Sequence, residues 1–131
     1  MPRPYFRRVV VNLTIQRRDL GRFGEETAAS YLRHKGFNII ERNYRQRIGE
    51  LDIIARQGSC LVFVEVRTKT DDRCGLPEES VTAVKIKKLR RLAQSYLQAR
   101  SIKSDQDIRF DVVAIMHTNG QTTINHIENA F

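Results

Sequence analysis

Two alternating runs joined by a Gly-Ser pair constrain this chain more than any other feature. Gly49-Glu50-Leu51-Asp52-Ile53-Ile54 and Leu61-Val62-Phe63-Val64-Glu65-Val66-Arg67 carry the period of two that marks β-strands. Between them, Gly58-Ser59 puts glycine first in a two-residue connection, as a type II′ hairpin turn requires. The register follows from that turn: Asp52 falls opposite Glu65, Glu50 opposite Arg67, and Ile54 opposite Phe63. Glu50 and Asp52 then share a face with Ile54, and Glu65 and Arg67 share one with Leu61 and Phe63. Directly opposed residues have Cβ atoms about 4.5–5.5 Å apart. Two carboxylates at that separation repel, and one takes up a proton unless a cation lies between them. A hard divalent ion such as Mg²⁺, about 2.1 Å from each oxygen, would relieve the repulsion. Arg67 beside Glu50 would neutralise part of the charge without any metal, leaving a salt-bridged sheet face. Both readings are open on these two strands alone.

The rest of the chain supplies helices and further strands. A helix is predicted over 19–35, with Asp19 as N-cap and Gly36 as its C-terminal stop. Glu25, Ala28, Ala29 and Leu32 recur at helical spacing and share one stripe, while Arg22, Glu26, Ser30 and Arg33 take the polar side. A carboxylate on an inward stripe is costly unless something pairs with it. Strands are predicted over 37–44, 48–55 and 60–68. A loop with Asp71, Asp72, Gly75 and Pro77 leads to a second helix over 80–100, whose apolar stripe is Ile86, Leu89, Leu92, Ala93, Tyr96 and Leu97. A strand over 108–116 turns at Asn119-Gly120 and returns over 122–127. The order α-β-β-β-α-β-β implies an α/β fold, a mixed β-sheet flanked by helices.

Composition decides what such a fold meets. The chain has 131 residues, 40% hydrophobic and 29% charged, which suits one globular domain rather than disorder. That domain is placed at 19–131. Residues 1–18, with Arg3, Arg7, Arg8, Arg17 and Arg18, read as a basic, flexible arm. No run reaches the roughly 18 apolar residues of a membrane span, and no secretory signal is expected. Cys60 and Cys74 show no metal-binding spacing and read as reduced thiols in a cytoplasmic protein. The net charge is +8, so the expected partner is a polyanion, taken as nucleic acid and not a membrane. Lys85–Arg91 holds five basic residues in seven. Lys87, Lys88, Arg90 and Arg91 are candidate phosphate contacts, joined by Arg45, Arg47 and Lys69; a merely solvated helix face is the bland alternative. Few aromatics are interleaved with these charges, which favours backbone contact over stacking on splayed single-stranded bases. His34, His117 and His126 are scattered and read as surface or turn residues.

The spacing Asp52, twelve residues, Glu65, one residue, Arg67 resembles the metal-binding motif of the PD-(D/E)XK nuclease superfamily. An ordered series across nearly all of 19–131 is similar to its YraN-type branch. The series comprises Gly21-Arg22-Phe23-Gly24-Glu25-Glu26, Tyr31-Leu32, Gly36-Phe37, Arg42-Asn43-Tyr44-Arg45, Gly49-Glu50-Leu51-Asp52, Val62 to Arg67, Lys85, Arg109-Phe110-Asp111-Val112-Val113 and Ile127-Glu128-Asn129-Ala130-Phe131. The resemblance implies a restriction-endonuclease-like core. It implies that Asp52 and Glu65 hold Mg²⁺ or Mn²⁺, with the backbone carbonyl of Val66 as a further ligand. Glu25 matches the first-helix glutamate that archaeal Holliday-junction resolvases place beside the metal, which fits its inward stripe. Two positions depart from the pattern. Leu51 replaces the motif's proline and points to the opposite face. Arg67 replaces its lysine, and arginine stays protonated, so it orients a phosphate but accepts no proton. Lys85, at the edge of the second helix's inward stripe, is the nearest substitute, with Lys69 behind it. The implied catalytic set is Glu25, Asp52, Glu65, Arg67 and Lys85; Asp111 reads as structural support.

The implied function is a divalent-metal-dependent endonuclease acting on DNA rather than RNA, at branched or distorted structures such as junctions. Resolving a symmetric four-way junction would call for a homodimer. The alternative is a non-catalytic nucleic-acid-binding module on the same scaffold, supported by Arg67. A protein-interaction adaptor presenting Phe131 is a third reading.

Overall fold

The computed structural model describes residues 13–70 and 75–131, with side chains from residue 19 onward. Its elements are α1 (Leu13–His34), β1 (Asn38–Gln46), β2 (Gly49–Gln57), β3 (Cys60–Lys69), a short 3-10 turn (Pro77–Ser80), α2 (Ala83–Ala99), β4 (Ile108–Thr118) and β5 (Gln121–Ile127). The five strands form one sheet in chain order. All neighbours are antiparallel except β3 and β4, which run parallel because α2 carries the chain across between them. This is the expected mixed sheet between two helices, in the order of a restriction-endonuclease-like core.

The two sheet faces carry separate cores. Ala28, Ala29 and Leu32 of α1 pack with Ile53, Ala55, Val62, Val64, Val113 and Ile115. Leu89, Leu92, Ala93 and Tyr96 of α2 pack with Leu51, Ile54, Leu61, Phe63 and Phe110 on the other side. Phe131 belongs to this second core, stacked on Phe110 at 5.1 Å between ring centroids. An adaptor that displays Phe131 to a partner does not fit that placement.

Local chemistry sets the joints. Gly36, at φ 92°, closes α1 with a paired cap in which its N–H donates to Arg33 O and that of Phe37 to Leu32 O. Gly58 has φ 59° between the paired Gln57 and Cys60, as the II′ turn demands. Asn119 and Gly120 both have positive φ between Thr118 and Gln121, the type I′ arrangement. Helix starts depart from expectation. α1 begins at Leu13, so Asp19 lies inside the helix and does not cap it. Part of the basic arm is thus helical, while residues 1–12, like Asp71, Asp72 and Cys74, lie outside the described residues. α2 begins at Ala83 with Thr82 as its cap, accepting from the Lys85 N–H. Ser80 closes the preceding turn instead, its hydroxyl donating to Pro77 O. Among the described residues no helix is long and apolar enough to cross a membrane.

Candidate metal centre

The expected β2–β3 register holds from Gln57↔Cys60 to Ile53↔Val64 and then stops. Asp52 and Glu65, and likewise Glu50 and Arg67, are therefore not ladder partners, contrary to the extrapolated hairpin. The cause lies in β2. Leu51 and Ile54 face α2 while Ile53 and Ala55 face α1, so the alternation breaks at Asp52. Asp52 consequently does not share its side of the sheet with Ile54. Opposite it on β1, between the paired Arg42↔Ile53 and Tyr44↔Leu51, Asn43 adopts φ 55°. Beyond Ile53↔Val64 it is β2 and β3 that fork apart, and the Asp52 carboxylate fills the opening by accepting the Val66 N–H at 2.9 Å.

Three carboxylates converge there. Glu25 from α1 and Glu50 and Asp52 from β2 each offer an oxygen, all within 4.8 Å of one another. Glu65 stands on the α2 side, only 4% exposed. Its Oε2 meets Lys85 Nζ at 3.2 Å and Arg67 Nη1 at 3.3 Å. Burial and the neighbouring Glu65 charge push Asp52 up to about 8, against the single lowering bond from Val66. The Glu65 charge thus adds to burial in raising Asp52, although the two residues are not paired across the ladder. A hard oxygen-seeking cation fits the donor set: it would take carboxylates from two elements and offset the repulsion between them.

The supporting residues are ordered around this centre. Arg42 reaches back from β1 to Glu26 at 2.8 Å and to Glu25 at 3.9 Å. Arg45, expected at phosphate, donates its Nε–H to Glu50 at 2.6 Å. Arg67 donates its Nε–H to Ser80 Oγ at 2.7 Å, which pins the guanidinium beside Glu65. Lys69 lines a cleft of about 280 Å³ with Glu25, Asp52 and Val66, and its Nζ donates to Gly75 O at 3.3 Å. Lys85 and Lys88 line a second cleft, which reaches Glu50 from the α2 side. Arg47 stands exposed in the β1–β2 turn, and Lys87 and Arg91 stand exposed on α2. Arg90 lies over the Phe131 ring at 6.0 Å.

Glu50 and Ser80 are members that sequence reasoning passed over. The extrapolated hairpin pairs Glu50 with Arg67, whereas its two-residue spacing from Asp52 is the signal that joins it to the acidic group. His126 is a further correction. Its side chain is 5% exposed, with Nε2 2.7 Å from Asp111 Oδ2 and Nδ1 3.1 Å from the Tyr31 hydroxyl, so it is no surface or turn residue. The Asn119-Gly120 hairpin places it diagonal to Asp111, which was legible in principle. Asp111 also takes a two-pronged bond from Arg109 and the Asn129 N–H. It is the structural support expected of it.

Comparison with known proteins bears on this chain as a whole. The sequence model of the Uncharacterised protein family UPF0102 matches residues 24–115. A UPF0102 protein of Syntrophomonas wolfei is 48% identical over 114 residues, covering 87% of this chain and 98% of its own length. One from Persephonella marina is 47% identical over 111 residues, covering 85% and 91%. One from Desulforamulus reducens is 46% identical over 121 residues, covering 90% and 99%. With the family model spanning residues 24–115 and relatives this similar covering most of the chain, it belongs to the UPF0102 family, the YraN-type group.

Proposed function

We propose that this protein is a Mg²⁺- or Mn²⁺-dependent endonuclease that hydrolyses phosphodiester bonds in branched or distorted DNA. The observation that carries the reading is the convergence of Glu25, Glu50 and Asp52 within 4.8 Å. Asp52, Glu65 and Glu25 would hold the cation, with Glu50 added to the set and the Val66 carbonyl as a further ligand. When bound, such an ion lowers the pKa of a coordinated water and stabilises charge on a phosphate. The chain's own cations do the positioning. Lys85, 3.2 Å from Glu65, would lend its ammonium to a phosphate oxygen. Arg67, anchored by Ser80, orients a phosphate but moves no proton. The +8 charge favours nucleic acid as the substrate.

The test is cleavage of labelled linear duplex, single strand, flap and four-way junction with Mg²⁺, Mn²⁺ or chelator, beside Glu65→Ala. Divalent-dependent cutting of branched DNA that disappears in the variant is expected. A second reading, a nucleic-acid-binding module that cuts nothing, draws on Glu65 being already neutralised by Arg67 and Lys85. Absence of cutting on every substrate, with no calorimetric heat of Mg²⁺ or Mn²⁺ binding, would sink the nuclease and leave that module.

A further inference from the structure

The second cleft beside the acidic centre has walls that phosphate binding does not explain. It lies between the β1–β2 turn and the first turn of α2, with a volume of about 300 Å³. Its floor is Leu89 and Leu92, and its rim carries Glu50, Lys85 and Lys88. Two branched apolar side chains stand at its mouth: Ile48, 37% exposed, and Val84, 66% exposed. Val84 sits in the first turn of α2, on one exposed stripe with Lys87, Lys88 and Arg91. Apolar side chains held in water beside a row of cations suit a ligand that is anionic along one edge and flat and apolar elsewhere.

We propose that this cleft receives a single unstacked nucleobase, next to the phosphate held at the acidic centre. The inference deepens the nuclease reading and rests on it for the position of that phosphate. Proteins that distort DNA insert aliphatic side chains such as Leu and Ile between base steps, so aromatic stacking is not required. The cleft is near the lower limit of ligand-pocket size, fitting one heterocycle rather than an extended ligand. Lys85 and Lys88 stand where they would hold the flanking phosphates, and Thr82 offers a hydroxyl to a base edge. Extracting a paired base costs unpairing and unstacking that an unpaired base does not. The substrate class is therefore DNA carrying an unpaired nucleotide beside the bond to be cut: a bulge, a flap base or a junction.

The test uses duplex DNA with one bulged 2-aminopurine, whose fluorescence rises when it leaves the stack, and the fully paired duplex as reference. Binding is followed at low salt in chelator, so that no cleavage enters the readout. The bulged DNA is expected to bind at least tenfold tighter than the paired one and to change its fluorescence on binding. Ile48→Ser combined with Val84→Ser removes only exposed side chains, so folding, checked by circular dichroism, is retained. The variant is expected to bind the two DNAs within twofold of each other and to show no fluorescence change. Equal affinities in the wild type, or discrimination that survives in the variant, overturn the proposal. The nuclease reading fails separately. Base capture without divalent-dependent cutting keeps the pocket and loses the nuclease, whereas cutting of bulged DNA without a fluorescence response keeps the nuclease and loses the pocket.

Discussion

Asp111, fully buried, and Asp52, half-buried, are driven in opposite directions by what surrounds them. Burial alone would raise Asp111, yet bonds from His126, Arg109 and the Asn129 N–H outweigh it and hold the carboxyl below its usual value. Asp52 has one such bond, from Val66, and faces Glu65, so burial and repulsion carry it up to about 8. The protein's own donors satisfy one carboxylate and leave the other raised. The sign of the consequence is fixed. An acid whose folded value exceeds its unfolded value binds protons more tightly in the fold, so its contribution to stability falls as pH rises between the two. With chelator present, the melting temperature is therefore expected to fall between about pH 4 and pH 8 through this residue. Asp52→Asn should remove that slope, and added Mg²⁺ should restore stability at the alkaline end. Calorimetric melts at a series of pH values check this; equal slopes in wild type and Asp52→Asn would refute it.

Helix α1 brings Glu25 to the fork because a glycine precedes it. A Cβ at Gly24 would come within 2.0 Å of Thr68 Oγ1 and 3.1 Å of Thr68 Cβ, so α1 lies against β3 only while that position is bare. Gly21, one turn earlier, has nothing within 4 Å. The pair gives a controlled comparison. Gly24→Ala is expected to cost about 1–3 kcal/mol through overpacking and to weaken Mg²⁺ binding by displacing Glu25. Gly21→Ala should stabilise the helix by about 0.5–1 kcal/mol. Denaturant melts with metal titrations decide it, and a neutral Gly24→Ala would mean that the helix does not depend on this contact. Glycine also marks what sequence reveals at this scale. Gly36, Gly58 and Asn119-Gly120 were legible as stops and turns because each imposes a backbone geometry that few other residues accept. The starts of α1 and α2 were not, since Asp19 and Ser80 have cap chemistry that the fold leaves unused or spends elsewhere. The fork at Asp52 was hidden for a different reason. Strand periodicity extrapolates a ladder, and nothing in the alternation of β2 announces that the pairing stops at Ile53. The acidic residues could be named from sequence; the way they meet, and the entry of Glu50 among them, depended on that break.

At the scale of the whole molecule, two accounts of the +8 charge compete. In one, a diffuse positive field attracts any polyanion. In the other, a localised rail guides DNA to the fork. The structure distributes the cations unevenly. Lys87, Lys88 and Arg91 are exposed along one stripe that starts at the cleft beside Glu50, and Arg90, exposed as well, lies over the Phe131 ring. Arg33 and Lys103 are also exposed, but Arg33 stands in the last turn of α1 and Lys103 just past the end of α2, away from the helix ends that build the site. Each phosphate neutralised by the protein steepens the fall of log affinity with log salt by about 0.9 for duplex DNA. A rail predicts that Lys87→Gln with Arg91→Gln flattens that slope by up to about 2, while Arg33→Gln with Lys103→Gln leaves it unchanged. Both variants lose the same two charges, so a diffuse field predicts equal effects from either. Fluorescence anisotropy of a labelled duplex over a salt series separates the two accounts. Equal slopes in the two variants would remove the rail, and with it the reason for placing DNA across α2 rather than anywhere else on the surface.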